Sequence, residues 1–313
     1  MSLLSRFLER KAVLTLLPNL ELYQWGREAI VPAGEGIEVY APYFVDQSDS
    51  AGSLAEATAL ANSNMSAGNF SGTLAEYPKS FEFTRFFWST KSIPILAETT
   101  RQLMVSIAKG WESKIQSVIS DGGPMSAASW VSPDTATTYT NIKESTKIKA
   151  GALSKASKVL ASKYVPGYQH LAGEYAGVFH PNATHHLRTN LSGGTHISPE
   201  SQSMNMTDMF RRKTAGSLFN IRIHESAWSA KSIYEINGMS EGCSGYLNYI
   251  FGPESFFVSP LANGRPEIIM HGFGSGGSSD PANRKATLAA YSVFTAFAGK
   301  LADRCVQIPV GYL

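Results

Sequence analysis

Between Pro94 and Gly122 the apolar positions keep helical time. Leu103, Ile107, Trp111, Ile115 and Val118 follow one another at steps of four, four, four and three, which lines one face of an α-helix. Met104, Ala108 and Ile119 widen that stripe, while Arg101, Gln102, Lys109, Glu112, Lys114 and Gln116 fall mostly off it. Ser89 or Ser92 is placed to cap the start, Pro94 suits a first turn, and Asp121-Gly122-Gly123-Pro124 stops the run. A helix over 94–121 would measure roughly 42 Å at 1.5 Å per residue, against a mean helix of about 12 residues. The pattern predicts a rigid beam on which other parts are mounted.

Away from the beam the period changes. Residues 2–17 read as a short amphipathic helix, with Leu3, Leu4, Phe7, Leu8, Val13, Leu16 and Leu17 on a broad face and Pro18 ending it. Residues 36–45 alternate: Ile37, Val39, Ala41, Tyr43 and Val45 point one way, as in a strand, and Pro42 marks an edge or a bend. The stretch 46–72 then turns small and polar, which predicts a long loop of functional kind. Apolar spacing returns over 73–90 as a strand with Phe81, Phe83 and Phe87 on one face. Two strands with a polar tip make an extended arm, stable only against a partner surface.

The second half alternates helix and strand. A helix is predicted at 142–163, with Ile148, Ala152, Ala156, Val159 and Leu160 inward, and its lysines read as a solvated face rather than a nucleic-acid stripe. A buried strand follows at 174–180, then a short helix from Pro181 to Leu187, a loop over 190–203, a helix around 205–213 and a strand at 217–224 with Phe219, Ile221 and Ile223 on one side. Residues 226–264 read as irregular, and 266–271 as a strand. The tail at 285–312 fits either a helix or two strands turning near Gly299-Lys300, and its β-branched and aromatic content favours strands. The sum is an α+β chain without a fixed-period repeat.

Composition sharpens this picture. Hydrophobic residues make up 43% of the 313, enough for a large core, but charged residues only 17%, against a usual value of about 25%. A surface so poor in charge predicts cover by other molecules, above all by copies of the chain itself. The net charge of +2 excludes a dedicated phosphate-backbone binder. Two cysteines, Cys243 and Cys305, form no disulfide framework and suit a reducing compartment. The opening residues lack a signal-peptide pattern, and no apolar run is long enough to span a membrane. The N-x-S/T sites at Asn64, Asn69, Asn182, Asn190 and Asn205 therefore carry no glycosylation reading.

Chemistry-bearing patterns are sparse. Gly272, Gly274 and Gly277 match G-x-G-x-x-G after a strand, the loop that lets a pyrophosphate approach a helix N-terminus, with Asp303 as a ribose acid. Too little chain follows for a mononucleotide-binding half, so a Gly/Ser loop is the better reading. His180, His185 and His186 lack a carboxylate or cysteine to complete a metal set. Ser244, in Gly242-Cys243-Ser244-Gly245, has Tyr246 where a nucleophile elbow needs glycine. Cys243 has His170, His180 and His224 elsewhere but no local signature. Glu76 with Glu82, or Glu235 with Glu241, are ordinary surface carboxylates. The reading is of a structural protein with no catalytic, cofactor-binding or metal-ligating residues, and no cofactor.

Taken in order, several segments resemble the major capsid proteins of tailed bacteriophages, and within them the branch typified by coliphage N-four. They are FLERKAVLTLLPNL, VPAGEGIEVYAPYF, LAEYPKSFEFTRFFWSTKSIP before the long helix, EYAGVFHPNATHHLRTN, KTAGSLFNIRIHES and SSDPANRKATLAAYSVFTAF. The resemblance implies the Johnson (Hong Kong-type) fold: an N-terminal arm (1–30), an extended β-hairpin loop (31–90), a peripheral domain with the spine helix (91–141), an axial domain (142–264) and a C-terminal return (265–313). It implies a shell of hexamers and pentamers, icosahedral, around double-stranded DNA touched without sequence preference. It also implies scaffolding and portal partners, a decoration protein in some relatives, assembly in the bacterial host cytoplasm and a place in the virion. No acidic or coiled-coil segment precedes the arm, so a separate scaffold or a mature product is expected. Lys79 lies in the loop, without an evident acceptor for a cross-link. The alternatives are an encapsulin-like compartment shell, a nicotinamide-dependent oxidoreductase using Gly272–Gly277, and a phage surface-binding protein of small oligomers.

Overall fold

The computed structural model describes residues 20–29, 36–44, 66–90, 95–121, 131–132, 147–189, 214–226, 245–260, 266–274 and 282–311. The helices expected at 2–17 and 205–213 and the loop at 190–203 lie outside them. In chain order the elements begin with a 3-10 turn (Tyr23–Trp25), β1 (Arg27–Glu28), β2 (Glu38–Phe44), β3 (Ala67–Thr73), β4 (Ala75–Glu76), β5 (Lys79–Thr84), α1 (Arg85–Thr90) and α2 (Ile95–Asp121). Then come α3 (Ala150–Ser162), a 3-10 turn (Gln169–Leu171), β6 (Tyr175–Phe179), α4 (Pro181–Thr189), β7 (Thr214–Leu218) and β8 (Ile221–Glu225). The chain closes with β9 (Gly245–Phe251), β10 (Phe256–Pro260), β11 (Glu267–His271), β12 (Lys285–Tyr291), β13 (Val293–Ala298), α5 (Leu301–Arg304) and β14 (Cys305–Gly311). No described helix is long and apolar enough to cross a membrane.

The long helix α2 is the beam that the spacing predicts. Leu103, Met104, Ile107, Ala108, Trp111, Ile115 and Ile119 are all buried along one side. They pack against a four-stranded sheet of order β1-β10-β13-β4 and a three-stranded sheet of order β11-β12-β5. Trp111 is the anchor. Its ring stacks on Phe294 of β13 at 4.5 Å and 12°, Tyr23 lies at 6.0 Å, and its indole N–H donates to Ser292 Oγ at 3.3 Å. Aromatic pairs at such separations add to plain area burial.

A five-stranded sheet, β14-β9-β6-β8-β7, buries apolar side chains on both faces. Tyr175, Phe179, Ile221, Ile223, Ile250, Val306, Ile308 and Val310 look toward α3 and α4, where Ile148, Ala152, Ala156, Leu160, Ala183 and Leu187 complete a second core. Ala176, Val178, Leu247, Tyr249, Phe251 and Cys305 look the other way and belong to the core of the long helix. Gln307 on that face donates to the carbonyl of Ile119 at 3.3 Å, satisfying an oxygen in the last turn of the long helix. The sheet is thus a common wall between two cores.

Several sequence expectations change. Residues 226–264 hold β9 and β10, which alternation cannot reveal because both faces are buried. Residues 85–90, expected as strand, form α1; the Phe87 N–H donates to Thr84 Oγ1 at 3.2 Å, an N-cap contact that turns the chain into a helix. Residues 67–72, expected in the loop, belong to β3 with Thr73, the true partner of β2 in register from Glu38↔Thr73 to Phe44↔Ala67. The helix expected over 142–163 is described from Ala150 to Ser162, with 147–149 extended. The tail is strand, as its composition favours, but three strands and one helical turn rather than two strands.

The single strand expected at 217–224 is a hairpin, β7-β8, with Phe219 at φ 52° and Asn220 at φ 63° between the strands. Two left-handed residues are the signature of a type I′ turn, which prefers Asn-Gly. An L-residue such as Phe is strained there by about 1–2 kcal/mol. Phe219→Gly should raise stability by about 1 kcal/mol, read as a higher midpoint in urea denaturation with an unchanged slope; a lower midpoint would mean that the exposed ring contributes more than the turn costs.

Candidate assembly surfaces

Two surfaces carry exposed aromatic residues that the fold leaves outside both cores. The first is the β2-β3 arm. Val39 and Ala41 point inward and close a small cluster with Phe257 and Phe297, joined by Phe70, Ala29 and Leu74. Gly72 lets the strand approach, since a Cβ there would sit 2.5 Å from the Phe297 ring. Farther along, Tyr43 stacks on Phe70 at 4.2 Å. The base of the arm therefore rests on its own subunit. The opposite face presents Tyr40, 56% exposed, and Phe44, 61% exposed. Ile37 keeps the inward parity the sequence gives it, but lies before the strand and is exposed.

The second surface is α1. Phe86 is 76% exposed, and Phe87 and Trp88 are also open to solvent. Trp88 is anchored from below, edge-on to Phe273 at 6.1 Å and near Phe83 at 6.2 Å. The Arg85 guanidinium covers Phe273 at 5.6 Å, a cation–π contact. The exposed Ile269 and Met270 belong to β11, an edge strand of the sheet beside it. Three consecutive exposed aromatics on a rigid turn are more than scattered surface apolars, and such a patch marks an interaction site.

The candidate chemical groups are occupied by structure. Gly272 and Gly274 follow β11, with Gly274 at φ 95°, while Gly277 lies outside the described residues. The chain returns as β12, antiparallel to β11. A dinucleotide loop instead joins a strand to a helix in a parallel unit, so the oxidoreductase alternative loses its architecture. Asp303 sits on α5 and pairs with Lys163 at 3.2 Å. The His180 ring stacks on Tyr246 at 3.6 Å, its Nδ1 accepts the Asn182 N–H at 3.2 Å at the start of α4, and burial pushes its pKa down. His185 is exposed, His186 is buried, and the described residues hold no cluster of metal-ligand type. His170 and His224 flank Trp25. Glu82 pairs with Lys285 at 2.9 Å, and Glu76 accepts from the Tyr291 hydroxyl at 3.0 Å. Lys79 Nζ lies 6.0 Å from the Phe81 ring. Cys305 is fully buried, which pushes its thiol pKa up, away from nucleophilic use. Cys243, Ser244, Glu235 and Glu241 lie outside the described residues.

One polar residue was misplaced by the sequence reading. Glu112 does not lie off the stripe: it is 1% exposed in the middle of the long helix. Its carboxylate accepts the Leu22 N–H at 3.0 and 2.9 Å and the Tyr23 N–H at 3.3 Å. A glutamate four residues after Ala108 and three before Ile115, both stripe residues, was the available signal.

No family model matches the chain, and no curated protein does either. Solved structures do. A chain from the capsid of Ralstonia phage GP4 is 13% identical and superposes with a TM-score of 0.67, covering 90% of this chain and 86% of that one. A chain from the capsid asymmetric unit of cyanophage Pam1 is 11% identical, with a TM-score of 0.65 and 95% and 92% covered. A chain from the mature capsid of bacteriophage PhiM1 is 13% identical, with a TM-score of 0.57 and 92% and 86% covered. The fold is therefore the Johnson fold of tailed-phage capsid chains, with its α+β layout spread along nearly the whole polypeptide. The likeness runs across many phages and singles out no branch, that of coliphage N-four included.

Proposed function

We propose that this chain is a major capsid protein that assembles with itself into an icosahedral shell around double-stranded DNA. The observation that carries the reading is the likeness to phage capsid chains over about nine-tenths of the length. The exposed aromatics of the β2-β3 arm and α1, on a chain with only 17% charged residues, support it. They are surfaces that self-association would cover. The role is structural rather than catalytic, because the described ionisable groups considered above serve packing, capping and ion pairs.

In this reading residues 1–30 are the N-terminal arm, 31–90 the extended loop, 91–141 the peripheral domain, 142–264 the axial domain and 265–313 the return. The return runs to both sheets: β12 and β13 lie in the sheets against the long helix, and β14 pairs in the five-stranded sheet. The subunits form hexamers and pentamers, with scaffolding and portal proteins as partners and, in some particles, a decoration protein. Assembly takes place in the bacterial host cytoplasm and the product is the virion capsid. Individually modest interfaces add up through multivalency.

Electron microscopy of the purified full chain tests the reading. Closed isometric shells are expected, formed above a threshold concentration. A chain that stays monomeric at every concentration, alone and with scaffold, would overturn it.

A further inference from the structure

The outward side of α3 carries charge of one sign only. Gly151, Ser154, Lys155, Lys158, Ala161 and Ser162 are all exposed and fall within an arc of about 120° at 3.6 residues per turn. Ala152, Leu153, Ala156 and Leu160 take the opposite side and belong to the second core. Lys155 and Lys158 therefore rise from a strip of small residues, and Lys147 is exposed just ahead of the helix. From Ser145 to Gly173 the chain has five lysines and no Asp or Glu. α4, which packs on the same face of the wall, has no acid either. Several cations elsewhere have a carboxylate beside them: Arg101 has Glu98, Arg222 has Glu174 and Lys285 has Glu82. Lys147, Lys155 and Lys158 pair with no carboxylate among the described residues.

The helix ends on a side chain that its own fold does not require. The Val165 N–H donates to the Leu160 carbonyl at 3.1 Å and the Tyr164 N–H to that of Ala161 at 3.0 Å, with Leu160 and Val165 both in the second core. This is a Schellman ending, whose left-handed position is usually glycine. Tyr164 holds it at φ 54°, a conformation unfavourable for an L-residue. Its ring is 94% exposed, so packing within the subunit does not offset the strain. Strain kept without internal gain points to a contact outside the subunit.

We propose that the outward stripe of α3, from Lys147 to Tyr164, is the surface on which the phosphate backbone of the enclosed double-stranded DNA lies. The inference rests on the reading of the chain as a shell protein and adds the face that meets the contents. Spacing alone reads these lysines as a solvated face, but such a face mixes signs, as α2 does with Glu98 and Arg101. A protein partner would need apolar anchors at the centre of the patch, and around Lys155 and Lys158 the arc offers only Gly, Ala and Ser. Positive charge without an apolar centre suits a regular polyanion. The small residues let a duplex come close, the ammonium groups neutralise phosphates, and the Tyr164 hydroxyl donates to a phosphate oxygen. Backbone contacts of this kind carry no base readout, so the contact is independent of sequence. A few charges per copy bind weakly, in keeping with a net charge of +2. A shell repeats the stripe in every subunit, and the contacts add through multivalency.

Fluorescence anisotropy of a labelled duplex of about 30 base pairs, titrated with the dispersed full chain over a range of salt, reads the contact. Lys155→Gln with Lys158→Gln should lower the slope of log K against log salt by about two and weaken binding on the order of 100-fold at about 0.05 M salt. Lys109→Gln with Lys114→Gln, which removes the same charge from α2, should change both far less. Tyr164→Gly should weaken binding while raising the urea midpoint, because glycine relieves the left-handed turn. A parent chain that does not bind the duplex, or an α2 pair that costs as much as the α3 pair, would overturn the proposal. So would a Tyr164→Gly chain that binds as the parent does, or capture of polyglutamate in place of the duplex, which would assign the stripe to an acidic protein. The titration needs no shell, so its failure is separate from a failure of the parent chain to assemble, which bears on the function proposed above.

Discussion

Replacing Phe86 and Phe87 together by serine should leave a folded subunit that fails to form the proposed shells at concentrations where the parent chain is expected to form them. Phe86 is 76% and Phe87 43% exposed on α1, so the monomer loses less by their removal than by that of a core ring. Burying a Phe side chain against a partner is worth about 1.5–3 kcal/mol. Scaled to the surface each ring still exposes, losing both removes about 2–3 kcal/mol per subunit, which raises the assembly threshold roughly 30- to 100-fold. Trp88 is left in place because it packs on Phe83 and Phe273. Sedimentation velocity and circular dichroism check the two halves of the claim. Unchanged shell yield would remove α1 from the interface; a molten subunit would make it part of the core.

Trp111→Ala should be the most damaging single change to the isolated subunit. The ring is 2% exposed, stacked on Phe294, flanked by Tyr23 and tied to Ser292. Truncating a buried Trp typically costs about 3–5 kcal/mol, a large part of the 5–15 kcal/mol that ordinarily holds a domain together. The urea midpoint should drop accordingly, measured by circular dichroism so that the lost indole does not confound the signal. A loss below about 1 kcal/mol would show that the helix does not depend on this contact.

How far the sequence disclosed all this depended on whether an element has a wet face. The long helix shows a clean stripe because its other side meets solvent or polar groups, and it is observed within one residue of the expected start. The alternation of β2 is equally readable, since Tyr40 and Phe44 face outward while Val39 and Ala41 face in. β9 was hidden because Gly245–Phe251 separates two cores and has no polar side to mark a period. The β7-β8 hairpin was hidden by its turn, which uses Phe219-Asn220 where a recognisable signal would be Asn-Gly. α1 was hidden because Phe-Phe-Trp has strand propensity, and the Thr84 cap that overrides it is one hydroxyl. Of the assembly surfaces, one strand of the arm was legible from alternation while its partner β3 read as loop, the low charge of the whole chain hinted at cover, and the α1 patch could not be told from a buried strand face by spacing alone. Glu112 was visible as a residue but not as a buried one, since its partners lie some ninety positions earlier in the chain.

The wall shared by the two cores has a consequence for synthesis on the ribosome. β14 pairs along its whole length with β9 and sends alternate side chains into each core. Until Gly311 has cleared the exit tunnel, β9 keeps an unpaired edge and neither interior is sealed. A nascent chain whose β14 has not yet emerged would thus remain sticky and unfinished, and would become competent to meet its copies only once that strand has paired with β9.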